Sequence, residues 1–261
     1  MLQSRISLQD QKLAAERRLK YRGTAIIRLE SLHFPCDAAR ELNLKNVDRL
    51  KKCFRKEGCR RLEVENHIPA TIDESRLQEA VTASGFRSND LLTNQREGYP
   101  ELKLPPSYRL TCLHGQHRIQ AAREVLAQRN AWWAVDLYVT GRAVLDKLPR
   151  HLLTLASLDT SDELKTVLIE EYSNQEPPSD GEIYYKIRLY DREGSLLFKN
   201  RWEAFLSDYG RRCLDQITKR DILSSAVDAL VAIPGLRPGL RFSSISKAIS
   251  KKCYEVSRFT F

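Results

Sequence analysis

The stretch "YRLTCLHGQHRIQAAREVL", residues 108–126, decides how the front half of this chain is read. Tyr108, Leu110 and Cys112 alternate with Arg109 and Thr111, the period of a half-buried strand. Gly115 then breaks the run. From Gln116 onward Ile119, Ala122 and Leu126 recur at helical spacing, with Ala121 and Val125 beside them, which predicts a helix over 116–128. A strand, one glycine and a helix make a geometry suited to an anion. A helix start exposes unpaired N–H groups and a partial positive charge. Gly115 leaves room for a ligand to approach the backbone. Arg118 can fork onto two phosphate oxygens and His117 can donate a hydrogen bond. The alternative is a surface arginine paired with a carboxylate and a packed histidine.

Upstream, "TAIIRL" (24–29) reads as a strand, and residues 43–57 as an amphipathic helix on Leu44, Val47, Leu50 and Phe54. Asn43 or Asn46 suits its start and Gly58 its end. Its other side carries Lys45, Arg49, Lys52 and Lys56 as one basic stripe that Arg60 and Arg61 extend. Residues 61–72 read as extended, 75–84 as a helix, 87–106 as a loop, and "AWWAVDLYV" (131–139) as a buried strand.

Beyond about residue 145 the pattern turns helical. Thr160 with Glu163, and Ser179 with Glu182, stand in capping-box spacing, with a Pro-Pro pair at 177–178 between the two helices. Further helices are expected over 200–208, 211–230 and 243–256. The last two, joined by "IPGLRPGLR", resemble a helix-turn-helix whose second helix bears Lys247, Lys251 and Lys252.

The chain has 261 residues, 42% hydrophobic and 30% charged, enough to build a core. No apolar run approaches the roughly 18–20 residues of a membrane span, and the first residues show no secretory signal. The expectation is an intracellular protein, nuclear or cytosolic. The six cysteines are scattered, which argues against a disulfide scaffold. Cys53, Cys59 and His67 match no usual zinc spacing. Residues 1–61 carry 16 Lys and Arg against 7 Asp and Glu, so the whole net charge of +9 lies there. Such a field attracts phosphate groups, nucleic acid or an acidic partner.

The strand–"HGQHR"–helix element resembles the ParB/sulfiredoxin superfamily, where a strand leads into a Gly-x-x-Arg turn that holds nucleotide phosphates. The order of the preceding elements matches as well. ParB proteins carry a Gly-Glu-Arg-Arg box there and sulfiredoxins a Gly-Cys-His-Arg box, with His117 and Arg118 in register. Gln116 stands in place of the sulfiredoxin cysteine, which argues against sulfinic-acid repair. A further ParB box, Glu-Asn-x-x-Arg, is matched only by Asn174, with Glu171 nearby as a candidate metal ligand. More closely, "GCRRLEVENHIPA", "CLHGQHRIQAA", "SDGEIYYKIR" and "IPGL" resemble a fungal family catalogued as a domain of unknown function, over roughly 25–255.

These resemblances imply an α+β fold: a small ParB/sulfiredoxin-like mixed sheet with helices, followed by an all-helical C-terminal region. The domains implied are a basic arm (1–22), the α/β domain (23–145) and a helical domain (146–261). The implied function is nucleotide or phosphate binding through His114, Gly115, Gln116, His117 and Arg118, with a nucleoside triphosphate and Mg²⁺ as candidate ligands. DNA is the candidate partner of the basic stripe and of Lys247, Lys251 and Lys252. A second reading is a phosphoryl-transfer enzyme or nuclease, with His114 or His117 as acid/base and Glu171, Asn174 or Glu182 in acid/base or metal roles. A third is a non-catalytic interaction module.

Overall fold

The computed structural model describes residues 7–35, 42–95, 98–140, 160–173 and 178–251. They form two compact units: a sheet unit over 16–175, and a helical unit over 176–261 together with the first fifteen residues. The division therefore falls near 175, not near the expected 145. Helix α1 (Leu8–Lys20) serves both, its last part belonging to the sheet unit. The reason is visible in its contacts. Glu16 accepts hydrogen bonds from the main-chain N–H and the hydroxyl of Ser161, and Arg17 pairs with Glu171. Both tie the start and end of α5 (Asp162–Glu171) to the sheet unit.

The sheet unit holds β1 (Tyr21–Arg28), β2 (Leu32–His33), β3 (Ile68–Asp73), β4 (Leu110–Cys112) and β5 (Trp132–Thr140). Their order is β1-β5-β3-β4-β2. β1 and β4 run antiparallel to their inner neighbours, β5 and β3 respectively; the β5–β3 and β4–β2 pairs are parallel. This is the mixed sheet expected. Helices α2 (Leu44–Glu57), α3 (Glu74–Ser84) and α4 (Gln116–Val125) accompany it. Asn43 caps α2 by accepting from the Asn46 N–H, and Gly58 closes it. Asp73 caps α3 through the Ser75 N–H. The core gathers Ile27, Ile68, Ile72, Leu110, Ile119, Trp133, Val135 and Leu137. α2 packs on α4 and lays Phe54 against Trp133, ring centroids 5.9 Å apart.

The helical unit contains α6 (Asp180–Arg192), α7 (Leu196–Glu203), α8 (Asp208–Thr218), α9 (Asp221–Val231) and α10 (Phe242–Ser250). Ser179 and Glu182 form the capping box read from the sequence. The single helix expected over 211–230 is instead two, because Arg220 adopts an extended conformation at the start of α9. Asp228, buried on α9, accepts from Tyr184 and from the guanidinium groups of Arg188 and Arg192. Gly181 is required by packing: a Cβ there would stand 2.3 Å from the Arg237 carbonyl oxygen.

Candidate functional site

β4 ends at Cys112, and the chain turns through Leu113 and His114 to Gly115, which sits at φ +101°. A Cβ on Gly115 would lie 2.1 Å from Ile68 Cδ1 on β3. The glycine is thus demanded by backbone and by core, so the expected close approach of a ligand is not what requires it. No side chain caps α4. Its first-turn N–H groups are the orphan donors of any helix start.

The three side chains after Gly115 leave the helix in different directions. Gln116 lines an open cavity of about 340 Å³. His117 Nε2 accepts a 2.9 Å hydrogen bond from the Asn43 N–H and braces the cap of α2. Arg118 lies on the opposite side of α4 and is buried. It donates to the main-chain carbonyls of Tyr172 (3.1 Å) and Glu65 (3.4 Å). Burial lowers its pKa to about 10, and among the described residues no carboxylate pairs with it. His117 and Arg118 therefore do not converge on one anion as expected. His114 is half-buried.

The cavity is lined by Glu30, Leu32, His33, Phe34, Leu42, Arg109, Gln116, Gln120 and Arg123. Gln116, Gln120 and Arg123 are spaced four and three apart, hence on one face of α4. Arg123 Nη2 donates to the carbonyls of Leu29 (3.0 Å) and Leu32 (2.8 Å), holding the wall that carries Glu30 and His33. Partial burial pushes its guanidinium pKa down. Arg109 Nη1 donates to the Pro106 and Tyr108 carbonyls. Both arginines keep further N–H groups for a ligand, so the lining offers two guanidinium groups, two amides, one imidazole, one carboxylate and an apolar wall.

The roles expected of the carboxylates give way to structural ones. Glu171 is the ion-pair partner of buried Arg17. Glu182 accepts from the Ser179 N–H in the capping box. Asn174 and Lys252 lie outside the described residues. Among the described residues no group of three His, Cys, Asp or Glu is placed to hold a metal ion. His67 packs in the core with Nδ1 3.2 Å from Asp136 Oδ1, while Cys53 is exposed on α2.

Asp136 is the feature the sequence did not assign. Fully buried on β5, it accepts from Thr24 Oγ1 at 2.6 Å and Tyr172 OH at 2.5 Å. Tyr172 OH lies 3.3 Å from Tyr138 OH, which accepts from Arg17 Nε. The signal available was one aspartate inside "AWWAVDLYV".

On α2, Lys45, Arg49, Lys52 and Lys56 are exposed along one side. Arg49 donates to Asn46, and Arg60 stands 3.7 Å from Glu57. Arg61 is diverted: its guanidinium stacks 3.7 Å above the Trp132 ring and donates to the Asn130 carbonyl. Lys247 and Lys251 are exposed at α10. The helix-turn-helix expectation does not hold there, since α9 and α10 are joined by residues 232–241 and not by a turn of three or four residues.

A family model described as the N-terminal domain of protein of unknown function (DUF3723) matches residues 20–174, and that family's central domain matches 180–258. The chain belongs to the DUF3723 family. The two matched segments of this DUF3723 chain meet where its two units divide. No curated protein matches its sequence. Among solved structures it is similar to the C-terminally truncated chromosome-partitioning protein ParB from Caulobacter crescentus, complexed with CTP-gamma-S. That similarity is at 12% identity over 87% of this chain and 99% of that one, with a TM-score of 0.30. A similarity that weak carries no argument about function. No helix among the described residues is long and apolar enough to cross a membrane.

Proposed function

We propose that the sheet unit binds a small phosphate-bearing ligand in the cavity beside the start of α4, with a nucleotide as first candidate. The observation that carries this is the convergence of Arg109 and Arg123 with Gln116 and Gln120 on one cavity at an uncapped helix start. A volume of about 340 Å³ suits a small organic ligand. In this reading the guanidinium groups take the phosphate oxygens. Phe34, Leu32 and Leu42 cover an apolar ring, and Glu30 and the glutamine amides read its polar edge. Gln116 is retained from the expected phosphate set; His117 and Arg118 act through the frame, fastening α2 and α5 to α4. The exposed stripe Lys45, Arg49, Lys52 and Lys56 is then the surface for a DNA backbone.

The test is calorimetry and thermal unfolding with ATP, CTP, GTP and inorganic pyrophosphate. A ligand at 100 times its Kd adds about 2.7 kcal/mol of stability. Arg109→Ala, exposed and outside the core, should leave the free protein as stable and weaken the ligand at least tenfold. No shift with any of the four ligands, or a shift indifferent to Arg109→Ala, sinks the reading and leaves an interaction module in its place. For DNA, the log–log salt slope should fall by about 2 when Lys52 and Lys56 are both replaced by Ala.

A further inference from the structure

Helix α9 buries one face inside the helical unit. A surface helix ordinarily turns a polar face outward; this one does not. Its outer face reads Ile222, Ala226, Ala229 and, just past the cap, Ile233, all exposed, with Ser225 the one exposed polar side chain among them. Ile222 is 73% exposed and Ile233 54%, with Leu230 and Leu236 widening the strip. From Ile222 to Leu236 the one charged residue, Asp228, is buried.

The row Ile222, Ala226, Ala229 and Ile233 reads alike in both directions. Its spacings are four, three and four, and its sizes run large, small, small, large. A two-fold interface requires that residue i meet j while j meets i. An antiparallel second copy, with the axis between Val227 and Asp228, sets Ile222 against Ile233 of the partner subunit and Ala226 against Ala229 of the partner subunit. The alanines at the centre let the helix axes come close, toward the lower end of the usual ~8–10 Å. Antiparallel packing also sets the positive end of each helix beside the negative end of the other, with no exposed like charges between them.

We propose that this face is the docking site for a second copy of the chain, paired α9 to α9 about a two-fold axis. One helix face buries less than the ~800 Å² per partner of a standard interface, which places the pair among weak, transient associations. The proposal is independent of the cavity reading.

Sedimentation of the full chain from about 1 to 100 µM, bracketing a micromolar Kd, should show a monomer–dimer equilibrium. Ala226→Glu and Ile222→Asp, both on the exposed face, should abolish the dimer while circular dichroism, and melting at concentrations below the dimer Kd, stay unchanged. In a Cys53→Ser background, Ala226→Cys mixed with Ala229→Cys should cross-link faster than either with itself. A monomer at every concentration overturns the proposal. So does a dimer that survives Ala226→Glu, or cross-linking with no preference for the mixed pair.

Discussion

Arg118 Nη2 donates a 3.1 Å hydrogen bond to the Tyr172 carbonyl, fastening the first turn of α4 to the end of α5. The same tyrosine turns its hydroxyl onto Asp136 in the sheet. One residue thus receives a buried guanidinium through its backbone and serves a buried carboxyl group through its side chain.

Arg118→Met should cost about 1–3 kcal/mol in urea unfolding, because the buried Tyr172 carbonyl and the part-buried Glu65 carbonyl lose their charged donor. Ligand affinity should change little. A stable variant that no longer binds nucleotide would instead make Arg118 a ligand contact.

Asp136→Ala should be the more severe change, about 3–5 kcal/mol, since it leaves Thr24, Tyr172 and His67 facing an emptied acceptor site. Asp136→Asn should cost less, because an amide oxygen still accepts. Equal losses for the two variants would show that burial volume matters there and hydrogen bonding does not.

Gly115→Ala should destabilise by about 2–4 kcal/mol through backbone strain and collision with Ile68. Ile68→Ala made alongside it should recover the collision part, so the double-mutant cycle should show coupling above about 0.5 kcal/mol. Strict additivity would mean the glycine is there for its backbone angle alone.

Burial pushes the Cys112 thiol up to about 12, from an ordinary value near 9. A group whose folded value is raised supports folding fully below the unfolded value, and that support fades as pH climbs toward the folded one. The wild type should therefore lose stability faster than Cys112→Ala between about pH 9 and 12. At pH 8 a thiol reagent should label exposed Cys53 and spare Cys112 in peptide maps.

Much of the fold was legible. α2 lies within a residue of its expected bounds, with the predicted cap at Asn43 and stop at Gly58, because both signals are local. The capping box at Ser179 and Glu182 was equally local. The break at Arg220 was missed, since "ITKRDIL" contains no glycine or proline to mark it. Of the cavity, only Gln116 was anticipated. Gln120 and Arg123 share its spacing and could have been added. Glu30, His33 and Arg109 come together only through the parallel pairing of β2 with β4, across 78 residues at Leu32 and Leu110.

The sequence by itself determined α2 with its cap and stop, the Ser179 capping box, the strand–glycine–helix turn and the basic face of α2, since each follows from residues within a few positions of one another. Tertiary structure alone decided where the charged side chains went. It sent Arg118 to main-chain carbonyls, His117 to Asn43, Glu171 to Arg17 and Asp136 into the core. A buried polar group must find a partner wherever the fold supplies one, and that of Arg17 lies 154 residues away.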